Sequence, residues 1–177
     1  VGISIGDLNG IGGEIVLKTF KDNRILDFCT PVIFASTKTM GYLKTHFQST
    51  IHFNSINNIK QLAIGKVNVY NCWNEPVKIE FGKEDTKIGE YAIKSLQAAT
   101  KALKNNAIDV LVTAPINKHN IQSDTFNFPG HTNYLAQELE GESLMFMVNN
   151  TLRVGLLTDH VPVKDIVNHI SEELVVN

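Results

Sequence analysis

Val1-Gly-Ile-Ser-Ile-Gly-Asp-Leu-Asn-Gly-Ile-Gly-Gly-Glu-Ile-Val-Leu-Lys-Thr-Phe20 decides the fold. Its opening alternates, with Val1, Ile3 and Ile5 on one face, as a strand does. Its close, from Glu14, sets Ile15, Val16 and Phe20 at helical spacing. Between them Gly6, Gly10, Gly12 and Gly13 mark a tight turn. Strand, glycine turn and helix in that order begin an α/β chain, whose ligands gather outside the carboxyl ends of its strands.

The pattern continues outward. Pro31–Ala35 is a short apolar run, read as a buried strand, and 37–47 a helix with Met40, Leu43 and Phe47 on one stripe. From 49 to 81 the pattern weakens, except for the alternating strand 67–72 and the turn signal at Pro76. The clearest helix is 87–106, with Ile88, Ala92, Leu96, Ala99 and Leu103 on one apolar face. A strand at 109–113 stops at Ala114-Pro115. A short helix spans 132–139. Strands at 144–148 and 152–157 flank Asn149-Asn150, a hairpin signal. A last helix covers 163–174, with Ile166, Val167, Ile170 and Leu174 inward. The expected fold is α/β, with a mixed sheet flanked by helices. The chain opens inside a strand and stops right after a helix, which suggests residues missing at both ends.

The 177 residues suffice for a core without staples. With 43% hydrophobic and 19% charged residues and a net charge of −2, the chain has an ordinary globular composition. It lacks the basic excess of a general nucleic-acid binder. No apolar run approaches the roughly 20 residues of a membrane helix, and no signal peptide is visible. Cys29 and Cys72 match no zinc spacing and read as reduced thiols of a cytoplasmic protein.

Four segments could carry chemistry. Gly6 to Glu14 lacks both the Gly-x-Gly-x-x-Gly fingerprint and the Gly-Lys-Ser/Thr of a Walker loop, and Asp7 would repel a phosphate; it also reads simply as a tight turn. Thr113 to His119 follows a strand, where Lys118 could meet a phosphate or carboxylate. In Phe128-Pro-Gly-His131-Thr132, Thr132 is a candidate N-cap. His131 lies near a helix N-terminus, where a neutral imidazole is favoured. In Leu157-Thr-Asp-His160-Val-Pro162, His160 could bind a metal or act as a base, but a catalytic metal site generally needs about three protein ligands. His46, His52 and His169 have no partner pattern.

Taken together and in this order, the segments resemble the 4-hydroxythreonine-4-phosphate dehydrogenase family. Asp7, Gly10, Ile11, Gly12 and Glu14 match its Gly-Asp-Pro-Ala-Gly-Ile-Gly-Pro-Glu opening, while Leu8, Asn9 and Gly13 depart from it. Thr113 to Lys118, then Gly130 to Tyr134, and finally Leu152-Arg153-Val154 with Thr158 to Pro162 match the later motifs. Asp159 stands where the family more often has a small polar residue.

The resemblance implies an isopropylmalate-dehydrogenase-like two-domain architecture of which this chain is an incomplete, N-terminal part. It implies His131 and Thr132 as a substrate-binding pair and His160 as the first of three metal-binding histidines. The other two, one from the second subunit of a homodimer, and most NAD contacts belong to a C-terminal half absent here, so the fragment alone should be inactive. The implied reaction is NAD-dependent oxidation of 4-phosphooxy-L-threonine assisted by a divalent metal (Zn, Co, Ni, Mg or Mn), followed by decarboxylation, in pyridoxal phosphate biosynthesis. The proton-accepting base is unassigned. A paralogue acting on threonate or erythronate phosphate, and a non-catalytic binding or dimerisation domain, are the alternatives.

Overall fold

The computed structural model describes residues 1–123 and 126–176. Seven strands and five α-helices follow in the order β1 (Gly2–Ser4), α1 (Gly12–Thr19), β2 (Val32–Ala35), α2 (Thr37–His46), β3 (Phe53–Ile56), β4 (Val67–Asn71), α3 (Thr86–Lys104), β5 (Leu111–Thr113), α4 (His131–Glu138), β6 (Met145–Val148), β7 (Arg153–Leu156) and α5 (Glu172–Val176). Two compact units divide them, residues 1–139 and 140–177.

The first unit is built on a parallel sheet in the order β3-β4-β2-β1-β5. In place of one mixed sheet, the antiparallel pair β6–β7 forms a two-stranded sheet of its own. β1 and β2 are buried along their whole length; β2 accordingly reads as an apolar run, whereas β1 alternates, with the small Gly2 and Ser4 between its apolar residues. On one face Ile3, Ile5, Ile33 and Val69 pack with Val16 and Leu17 of α1 and Met40 and Leu43 of α2. On the other, Val32, Phe34 and Ile56 pack against Ala99 and Ala102 of α3. α3 is capped by Asp85, whose carboxylate accepts from the Lys87 N–H at 2.8 Å. Its Ala92, Ile93 and Leu96 also meet Ile121, Phe126 and Tyr134, so the segment after β5 is fastened to α3.

β3 falls in the stretch where the sequence pattern is weak. It is a four-residue edge strand whose Asn54 and Ser55 lie outside the core, so neither alternation nor an apolar run announces it. Cys29 and Cys72 are free and half-buried, and burial pushes the Cys72 thiol up to about 12.

In the second unit the hairpin is as expected. Asn149 Oδ1 accepts from the N–H of Thr151 (2.9 Å) and Leu152 (2.8 Å) and so closes the turn. The single last helix is not observed. A 3₁₀ helix, Val163–Asn168, is followed by the short α5. Val167, Ile170 and Leu174 are exposed and Ile166 is half-buried, so the apolar periodicity has no inward face to serve among the described residues. No helix of the described residues is long and apolar enough to cross a membrane.

Candidate functional site

The strand order sets the place. β1 lies between β2, which follows it directly, and β5, which arrives only after α3 has crossed the sheet. The carboxyl ends of β1 and β5 are therefore a topological switch point, where open α/β sheets bind ligands. The glycine turn leaves β1 there, and the Lys118 segment leaves β5 there.

The two loops are locked together. The Asp7 N–H donates to the Pro115 carbonyl (2.9 Å), and the Ala114 N–H to that of Ser4 (3.0 Å). Gly6 has φ +70°, and a Cβ there would stand 2.2 Å from the Pro115 oxygen, so only glycine serves. The three departures from the family opening have structural reasons. Leu8 is 1% exposed and belongs to the core. Asn9 is a bracket: its Nδ2 donates to the Lys83 carbonyl (2.9 Å) and its Oδ1 accepts from the Glu80 N–H (2.8 Å). Gly13 lets Leu43 approach, its Cδ1 lying 2.6 Å from where a Cβ would be.

Asp7 is buried, which pushes its carboxyl up. The Asn9 N–H and the nearby Asn120 amide act against that shift, and the charge of Glu84 adds to it. The Asn120 side-chain amide, though close enough for this effect, makes no hydrogen bond of normal geometry among the described residues.

His131 opens α4. Gly130 is the residue before the helix, in extended backbone and with no side-chain cap, so Thr132 is not the N-cap; it stands exposed inside the first turn. α4 is held by Tyr134, which is 4% exposed and packs its ring against Phe126 and Phe128 at 5.1 and 5.3 Å. That gives the aromatic of the Gly-His-Thr-x-Tyr motif an anchoring task. His131 Nε2 is buried and has no hydrogen-bond partner among the described residues. Burial, and then the positive charge of Lys118, hold its pKa below the usual imidazole range. Lys118 is exposed, and its Cε lies 3.8 Å from where a Gly130 Cβ would be, so its chain crosses the start of α4. The uncapped N–H groups of α4, a lysine beside them and a neutral imidazole form a place for an anionic ligand that also carries a hydroxyl or carbonyl.

His160 lies in the second unit. It is exposed and has φ +54°. Among the described residues no group of three or more His, Cys, Asp or Glu could hold a metal ion. The chain thus supplies one candidate donor rather than a metal site. A surface cavity of about 540 Å³, lined by Lys21, His52 and Lys66 among others, lies at the amino ends of β3 and β4 and holds none of the motif residues.

Sequence reasoning missed Asn120 and Gly89. A Cβ on Gly89 would fall 1.9 Å from the Asn120 carbonyl oxygen. The available signal was a glycine in the first turns of an otherwise strong helix, which marks close backbone approach.

The chain is similar to known proteins along nearly its whole length. A 4-hydroxythreonine-4-phosphate dehydrogenase of Bacteroides thetaiotaomicron is 41% identical over 177 residues, covering 99% of this chain and 49% of that protein. A Clostridium botulinum relative named for D-threonate 4-phosphate dehydrogenase is 26% identical, covering 100% of this chain and 54% of its own length. A crystal structure of a 4-hydroxythreonine-4-phosphate dehydrogenase from Burkholderia phymatum matches with a TM-score of 0.89 at 25% identity, over 98% of this chain and 54% of that one. The chain spans about half the length of the curated relatives it matches. Residues 27–177 match the family model described as pyridoxal phosphate biosynthetic protein PdxA, and the chain belongs to that family.

Proposed function

We propose that the protein carrying this chain oxidises 4-phosphooxy-L-threonine with NAD and a divalent metal, and that the resulting β-keto acid loses CO₂ to give 3-amino-2-oxopropyl phosphate. The observation that carries the reading is His131. Its imidazole has a pKa held below the usual range, carries a buried nitrogen with no hydrogen-bond partner among the described residues, and stands beside Lys118. Lys118 and the N–H groups of α4 suit an anionic group of the substrate, and His131 with Thr132 suits its hydroxyl. When bound, NAD would accept the hydride and the metal would lower the pKa of the alcohol. His160 is the donor this chain would contribute to that ion.

A second reading, a D-threonate 4-phosphate dehydrogenase, is favoured by the Clostridium botulinum relative. The test is NADH formation by the intact protein with each substrate, NAD and an added divalent ion. Its mass is measured first, because these residues account for 19.7 kDa. Turnover of 4-phosphooxy-L-threonine supports the first reading. Turnover of the threonate phosphate alone supports the second. A protein about twice that mass, metal-loaded and inert toward both, would sink the pair.

A further inference from the structure

The turn that carries Lys118 is held from inside. Asn117 Oδ1 accepts from the N–H of His119 (2.9 Å) and of Asn120 (3.3 Å), and Ile121 behind it is 1% exposed. Asn120 is 3% exposed, and neither its Nδ2 nor its Oδ1 has a hydrogen-bond partner among the described residues. Native proteins keep few such groups, because a buried amide without partners has lost its hydration at both ends. This one lies near enough to Asp7, itself buried just past the end of β1, to act on its carboxyl. A carboxyl and a primary amide are complementary, since the amide offers both donors and an acceptor. From the other side the backbone of Asn120 rests on Gly89, where a side chain would leave no room. Asn120 is thus caught between the glycine turn and α3, with Lys118 two positions earlier on the solvent side.

We infer that Asp7 and Asn120 are a positioning pair, whose carboxyl–amide contact locks the Lys118 turn onto the glycine turn and so sets where Lys118 stands relative to His131. Neither residue need touch substrate; both act through Lys118. The kinetic part of the test rests on the dehydrogenase reading, and the exchange part does not.

The test exchanges the partners. Asn120→Asp sets two carboxyls against each other. Adding Asp7→Asn restores a carboxyl–amide contact with the groups swapped. In the intact protein, Asn120→Asp should raise KM for the phosphorylated substrate about tenfold with kcat little changed, and the swap should return KM to within about threefold, as coupled neighbours do in a double-mutant cycle. Hydrogen–deuterium exchange of residues 114–121 should quicken in Asn120→Asp and return to wild-type rates in the swap. If Asn120→Asp does not fold, the swap decides alone: wild-type exchange supports the pair, and failure to fold overturns it. Wild-type exchange in Asn120→Asp, or a swap no slower in exchange than Asn120→Asp, likewise overturns it. A wild-type protein inert toward the substrate removes the dehydrogenase reading and leaves the exchange result to judge the pair.

Discussion

Gly89 and Asn120 meet with no room for a methyl group between them: a Cβ at Gly89 would stand 1.9 Å from the Asn120 carbonyl oxygen and 2.5 Å from its carbon. Both atoms are backbone, so relief requires the whole turn or α3 to move. Gly89→Ala should therefore cost more than the helix propensity it gains, by at least the roughly 1–3 kcal/mol typical of overpacking. The urea midpoint should fall with the slope unchanged. A variant as stable as wild type would mean that the approach is looser than described.

Asp7→Asn should stabilise the protein at neutral pH. Burial raises the Asp7 pKa above the ordinary carboxyl value of 3.8. The folded state then binds the proton more tightly than the unfolded state, so the stability Asp7 contributes is complete below that value and is lost as pH rises through the folded pKa. An asparagine has no charge to bury. Its melting temperature at pH 7 should exceed that of wild type. The gain should vanish in acid, and thermal scans across pH would read it.

His131 carries the opposite sign. Its pKa is lowered from 6.5 by burial and then by Lys118. The unfolded state binds the proton more tightly, so this contribution is complete above 6.5 and is lost as pH falls through the folded pKa. Between those values wild type should lose stability that His131→Gln keeps. Nuclear magnetic resonance titration of the His131 ring protons gives the direct check. A ring that titrates at or above 6.5 would contradict the burial of Nε2.

His160→Ala should lower divalent-metal affinity of the intact protein by at least about tenfold, on the scale that even supporting residues of metal sites show, and turnover should fall with it. Metal content after dialysis and NADH formation measure the two separately. Unchanged turnover would remove His160 from the proposed site.

The parts of the fold legible in the sequence are those whose period is set by burial. The α3 face survives, with Ile88, Ala92, Leu96 and Ala99 buried and Leu103 partly buried at its end. So do β1, through its alternation of Val1, Ile3 and Ile5, and β2, through the apolar run of a parallel strand covered on both sides. β3 stayed hidden because an edge strand need bury little. The inward face read into 163–174 failed for the complementary reason: periodicity says which residues share a stripe, and only the partner surface says that the stripe is covered. At the site, His131 and Lys118 were visible as residue types at strand and helix ends. Their proximity depends on Gly130 and on the turn closed by Asn117. The burial of Asn120 depends on Gly89, nearly a helix and a strand earlier. No local spacing encodes such a meeting.

The strand order has a consequence for how the chain is made. β1 emerges from the ribosome before the other four strands of its sheet, yet Gly2 waits for Leu111 before its second neighbour exists. Strands β2, β3 and β4 and helix α3 must all be synthesised in between. Pairings so distant in sequence are slow, because the intervening loop must be closed before the contact rewards it. The β1–β5 seam, with Asp7 on one side and Lys118 on the other, is thus the last junction among these five described strands to close. A nascent chain stalled before β5 would present an unpaired edge of β1 to whatever factor attends it.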